Sequence, residues 1–155
     1  MKKYELTEET VTVYGKTLYR IRAVRDFGSV KTGEFGGYIE KEENLSHFGN
    51  AWVYGNAKVC GNAKVCGNAK VCGEAKVSNT RHFFVQGPIG SRNDFVTFYR
   101  TTNNTVGVRC GCFSGSLQKF VDRVEETHGG SRYEKEYKLA AELAKVCIRL
   151  EEEAE

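Results

Sequence analysis

The sequence predicts a mainly β protein: a β-solenoid of six-residue repeats, preceded by a β-hairpin and followed by an α+β module. Three observations carry this. Between residues 55 and 77 the chain repeats nearly the same six residues four times, Gly-Asn-Ala-Lys-Val-Cys closing on Gly73-Glu74-Ala75-Lys76-Val77-Ser78. Before that array, Val11-Thr12-Val13 and Leu18-Tyr19-Arg20-Ile21-Arg22 alternate around Gly15-Lys16. After it, apolar residues take up helical spacing from Leu117 onward. These boundaries divide the chain into an N-terminal hairpin and cap at 1–38, the hexads at 39–80 and a C-terminal module at 81–155 (three-stranded meander plus two helices).

Taken in order, the N-terminus Met1-Lys2-Lys3-Tyr4-Glu5 has no apolar stretch of the kind that marks a signal peptide. No run approaches the roughly 20 apolar residues of a membrane span, so a cytoplasmic protein is expected. The alternating residues 10–24 read as a hairpin that caps the solenoid, because a solenoid end exposes unpaired strand edges. Residues 26–38 hold Gly28, Gly33, Gly36 and Gly37. They lack both the Lys-Ser/Thr ending of a phosphate loop and the spacing of a dinucleotide fingerprint, so phosphate binding is not assigned to them. Ile39 and Leu45 begin the repeat, and the register slips where His47 takes an aliphatic position.

Written from the valines, the hexads are 53–58, 59–64, 65–70 and 71–76, each with valine first and alanine fifth. A fixed short period reports architecture directly. Valine points inward, Gly-Asn tolerates the positive φ of a tight corner, and alanine leaves room inside. Lysine and cysteine or tyrosine are expected to face outward. So short an array needs both ends covered, which favours a homo-oligomer.

Beyond residue 79 the sequence reads as strands at 81–85, 94–100 and 105–110, with loops at 87–93 and 111–115. Ser116 reads as the N-cap of a helix carrying Leu117, Phe120, Val121 and Val124. Gly129-Gly130 stop it, and Ser131-Arg132-Tyr133-Glu134 reads as a capping box for a second helix with Tyr137, Ala140, Ala141, Ala144 and Ile148 on one stripe.

The hexads resemble the hexapeptide-repeat proteins, whose left-handed parallel β-helix uses three hexads per triangular coil. The resemblance implies that residues eighteen apart stack: Val53 on Val71, Val59 on Val77, Lys58 on Lys76, Tyr54 on Cys72. Cys60, Cys66 and Cys72 would then lie on different faces, too far apart to share one zinc ion. Across the chain, the order of hairpin, Gly36-Gly37-Tyr38-Ile39-Glu40, hexads, Ile89-Gly90-Ser91-Arg92-Asn93 and Cys110-Gly111-Cys112-Phe113-Ser114-Gly115 is similar to small hexapeptide-repeat proteins of phages and prophages, labelled transferases or polymer-forming proteins.

Chemistry is expected at the junction from Arg109 to Ser116. Backbone N–H groups at a helix start favour anions, and the same field would lower the thiol pKa of Cys112. Arg109, Cys110, Cys112, Ser114 and Ser116, with Arg92 and Asn93 from the neighbouring loop, form the expected ligand-binding set, with Arg92 suited to bidentate pairing. Small residues at a strand end and a simple helix cap explain the same pattern without a ligand. Cysteine catalysis needs a base beside Cys112; only His47 or His82 qualify, since His128 ends the helix that Ser116 begins. Net charge is +3 from 23 basic and 20 acidic residues, too balanced to imply nucleic-acid binding.

No catalytic, metal or cofactor set emerges. The expectation is a non-enzymatic phage-type binding protein in the host cytosol that counters an antiphage defence. It would do so by sequestering a nucleotide-derived immune signal or by blocking a defence protein. A hexapeptide-repeat acyltransferase and a self-assembling scaffold are the alternatives.

Overall fold

A computed structural model describes residues 2–111 and 113–150. Strands β1 (Tyr4–Val13) and β2 (Lys16–Ala23) form the expected hairpin, longer at its N-terminal end than the alternation indicated. Its loop is Tyr14-Gly15, both at positive φ (51° and 75°), the geometry that matches the twist of a two-residue hairpin turn. Strand β3 (Phe35–Ile39) pairs antiparallel with β2. Four strands of two residues each follow from the hexads: β4 (Trp52–Val53), β5 (Lys58–Val59), β6 (Lys70–Val71) and β7 (Lys76–Val77).

The register implied by the hexads is present. Val53 pairs in parallel with Val71, Val59 with Val77 and Lys58 with Lys76. The fold class is nevertheless corrected. In place of a left-handed parallel β-helix, the described residues form a mixed-β structure of three separate sheets and two α-helices. The largest sheet, β1-β2-β3-β5-β7, is antiparallel in the hairpin and parallel through the hexads; β4-β6 is a separate parallel pair. On the remaining side the described residues form the single bridge Leu45↔Val65. The physical reason lies in length. Two-residue strands cannot sustain a coil on their own, so β5 and β7 continue the hairpin sheet through β3, while β4 and β6 pair with each other.

The valines behave as read. Val53, Val59, Val65, Val71 and Val77 are fully buried, with Ala57, Ala63, Ala69 and Ala75 beside them, in one core with Tyr4, Ile21, Ile39 and Trp52. The hairpin and hexads therefore share a single core. The cysteines correct an expectation: Cys60 and Cys72 are buried and only Cys66 is exposed. Cys60 is covered by Val13, Leu18 and Tyr38 of the hairpin sheet; Cys72 lies under Tyr99 and Ser114 of the C-terminal module.

The C-terminal module is a four-stranded antiparallel sheet, β11-β10-β9-β8, made of β8 (Phe83–Ile89), β9 (Asp94–Arg100), β10 (Val106–Cys110) and β11 (Phe113–Ser116). The expected meander thus gains a strand, because the residues after Gly111 pair back on β10 instead of looping. Helices α1 (Leu117–His128) and α2 (Arg132–Cys147) pack on it through Phe120, Val124, Tyr137, Ala140, Ala141 and Ala144, forming a second core with Val96, Phe98 and Val108. The anticipated capping box at α2 does not form: the Ser131 hydroxyl donates to His128 O (2.7 Å), and the Glu134 carboxylate accepts from Gly130 N (3.2 Å).

Both ends of the hexad array are covered within the chain. The hairpin closes one end. At the other, Arg100 Nε donates to Lys76 O (3.0 Å), Thr102 N to Glu74 O (2.8 Å) and Lys70 N to Thr97 Oγ1 (3.0 Å). The motive for self-association at bare solenoid ends therefore falls away. Among the described residues, no helix is long and apolar enough to cross a membrane.

Candidate functional site

Where the C-terminal sheet meets the hexads, three segments leave a cleft of about 540 Å³ between them. One wall is the outer side of the β4-β6 pair, carrying Trp52, Tyr54 and Lys70. A second is the loop from Phe27 to Phe35, and the third comes from β9 and β10 with Phe95, Thr97 and Arg109. The volume lies within the range of pockets that enclose a small organic ligand.

The walls hold their side chains firmly. Trp52 is 4% exposed and packs edge-on against Phe27 (5.1 Å between centroids) and Tyr4 (6.4 Å). Behind Phe27 stands the buried Lys3, whose ammonium is 4.7 Å from the ring centroid and donates to Ala51 O at 2.6 Å. Burial, with Arg25 adding like charge, lowers Lys3 to about 8.

Arg109 is the central group. Its guanidinium lies over the Tyr54 ring at 5.7 Å, an attractive cation–π arrangement. Its Nε is buried without a hydrogen-bond partner, and among the described residues no carboxylate pairs with it. A buried donor left unmatched costs about 1–3 kcal/mol. The Nε groups of Arg20 and Arg25 are unmatched in the same way, so Arg109 is set apart by its place in the cleft lining. The Tyr54 hydroxyl lies against the Cys72 thiol without a hydrogen bond of ordinary geometry. Burial, then the Cys72 thiol, holds the Tyr54 and Tyr99 phenols above their usual range, so both stay neutral donors.

Charge in the cleft is mixed. Lys70 and Arg109 share the lining with Glu34 and Asp94 and with the amides of Asn50, Asn68 and Asn93. A bare inorganic anion would be repelled by the carboxylates. A ligand with an aromatic ring, hydroxyl or amine donors and a phosphate satisfies all three kinds of wall.

The expected site residues are not gathered at one point. Asn93 and Arg109 line this cleft. Arg92 and Cys110 line a smaller one beside it. Ser114, in β11, approaches Cys72 Sγ at 3.8 Å, and Ser116 caps α1 by accepting from Lys119 N at 3.2 Å. Cys112 lies outside the described residues. The start of α1 thus continues directly from a strand, and neither cleft is lined by its first-turn residues 117–119.

His47, at the register slip, is half-buried and fully engaged. It stacks on Tyr4 at 4.1 Å, Nδ1 accepts from Lys3 N, and Nε2 meets Glu42 Oε1 at 3.0 Å. That contact holds the Glu42 carboxyl below its ordinary range. His82 accepts from Ser78 N through Nδ1 (3.0 Å). Neither histidine lines the cleft.

Sequence reasoning missed Trp52, Tyr54, Lys70 and the glycine-rich loop. The one signal available was compositional: the chain's one tryptophan falls where the valine repeat begins. No protein-family model matches the chain, and no curated protein matches it.

Proposed function

We propose that the chain is a non-enzymatic binding protein whose cleft takes a nucleotide-derived ligand. The observation that carries this is Arg109, held over Tyr54 with a buried and unmatched Nε in an aromatic-lined cleft. Phe35, which is exposed, and Phe95, which is half-buried, offer surfaces for a base, worth about 1–3 kcal/mol per stacked base in comparable sites. Arg109 and Lys70 meet phosphate, and Glu34 and the asparagines meet sugar and base donors.

Sequestering such a molecule is a complete function without turnover. In the phage-type setting that the hexads suggest, the ligand would be a nucleotide immune signal, and its removal would counter host defence. Acyl transfer through a histidine base has no support in the cleft lining, which contains no histidine.

The test is to purify the protein from phage-challenged cells with a nucleotide-signalling defence active, release small molecules by heat and identify them by mass spectrometry. A nucleotide is expected with the native protein and absent with Arg109→Gln. Clean protein without nucleotide, from a lysate that contains the signal, overturns the reading. A stable complex with a host protein in that preparation would point instead to direct blocking.

A further inference from the structure

The second cleft, about 320 Å³, opens between α1, α2 and the turn joining β8 to β9. Its floor is apolar, with Phe113, Phe120 and Tyr137, and its rim carries Arg92, Arg123 and His128. The Arg123 guanidinium stands 6.0 Å from the Phe113 ring, and the His128 ring lies 5.5 Å from that of Tyr137. Among the described residues neither Arg92 nor Arg123 has a carboxylate partner. This repeats the combination found in the first cleft, an aromatic surface beside an unpaired guanidinium.

The two clefts share a border. Asp94 and Gly111 line both. Along the β8–β9 turn, neighbouring residues serve opposite sides: Arg92 the second cleft, Asn93 the first, Asp94 both. The turn is clamped. Gly90 N donates to Glu136 Oε1 at 2.8 Å, and a Cβ on Gly90 would sit 1.8 Å from the Tyr137 hydroxyl. At Gly111 the space is open, since an added Cβ would meet nothing within 4 Å. A rigid turn and a bare glycine thus leave a low sill between two similar half-sites.

We infer that the ligand is a dinucleotide, with one base and its phosphate in each cleft and the join crossing the sill at Asp94 and Gly111. This rests on reading the first cleft as a nucleotide site. Asp94 accepts from a sugar hydroxyl at the sill and repels phosphate there, directing the phosphates toward Arg109 on one side and Arg92 with Arg123 on the other. Occupying both half-sites with one molecule makes the second contact intramolecular, which raises affinity well above that of either half.

The experiment is calorimetric titration of the full chain with adenosine and guanosine monophosphates and with their linear and cyclic dinucleotides. At least one dinucleotide should bind about tenfold or more tighter than its own monophosphate. The double variant Arg92→Gln/Arg123→Gln should abolish that advantage, whereas Arg109→Gln should weaken both ligand sizes. Both substituted residues are exposed, and an unchanged urea midpoint checks that the variant folds. Equal affinity for the two sizes, or a dinucleotide advantage that survives the double variant, overturns the two-cleft inference alone. Failure of every nucleotide to bind overturns it together with the first-cleft reading.

Discussion

Replacing Lys3 with methionine should remove a pH dependence built into the wall of the cleft. Lys3 is fully buried, 0% exposed, with its ammonium donating to Ala51 O at 2.6 Å and standing over Phe27. Burial and then Arg25 lower its pKa from 10.5 to about 8. At about 1.4 kcal/mol per unit, keeping the ammonium charged costs the folded state about 3 kcal/mol at neutral pH. Because the folded value lies below the unfolded one, the unfolded chain binds the extra proton between them. The penalty is therefore complete below about pH 8 and disappears as pH rises toward 10.5.

Methionine keeps most of the stem volume and loses the charge. It also leaves Ala51 O without its donor, a loss of about 1–3 kcal/mol. The two effects nearly offset at neutral pH, so the variant should match the wild type or exceed it by about 1–2 kcal/mol. By about pH 10 the wild type should have gained about 2–3 kcal/mol relative to the variant. Burial raises the Tyr4 phenol and the Cys60 thiol, so both destabilise the folded state at high pH, but they titrate in both proteins and cancel in the difference. Urea denaturation of the pair at about pH 7, 8.5 and 10 reads that difference. A difference constant to within about 0.5 kcal/mol across that range refutes the assignment of a buried, depressed ammonium.

Identical hexad glycines should respond unequally. Gly61→Ala places a Cβ 2.5 Å from Ser78 O at φ 62° and should cost about 2–4 kcal/mol, whereas Gly67→Ala at φ 65° meets nothing within 4 Å and should cost about 1 kcal/mol; urea midpoints distinguish them. Gly90→Ala forces Tyr137 out of its place beneath the β8–β9 turn and should cost about 2–4 kcal/mol, with weaker dinucleotide binding; an unshifted denaturation midpoint would show that the turn is not clamped. Arg100→Met removes a 2% exposed guanidinium that bonds Lys76 O and Ser78 Oγ, and a loss of about 2–4 kcal/mol is expected by thermal or urea denaturation.

The sequence by itself determined the local periodicities. Valines every sixth residue were bound to face one core, because any other phase would bury lysine. Gly15 fixed the hairpin turn through its positive φ, and Ser116 fixed the start of α1 through its hydroxyl. These are contacts within a few residues, where side-chain chemistry dictates geometry directly. The eighteen-residue parallel register agrees with what the resemblance to the hexapeptide-repeat proteins implied, whereas the six-residue period alone fits stacking at six, twelve or eighteen.

Only the tertiary structure decided how those pieces share sheets and what lies between them. β5 and β7 extend the hairpin sheet through β3, while β4 and β6 stand apart as a pair. No periodicity encodes that choice. The same holds for the candidate site. Arg109 and Tyr54 are 55 positions apart yet lie 5.7 Å from guanidinium to ring, and the glycine-rich loop at 27–35 faces them from a third segment. A cleft formed by non-local packing leaves no spacing signature, because its residues are adjacent only after two cores have closed on either side of it.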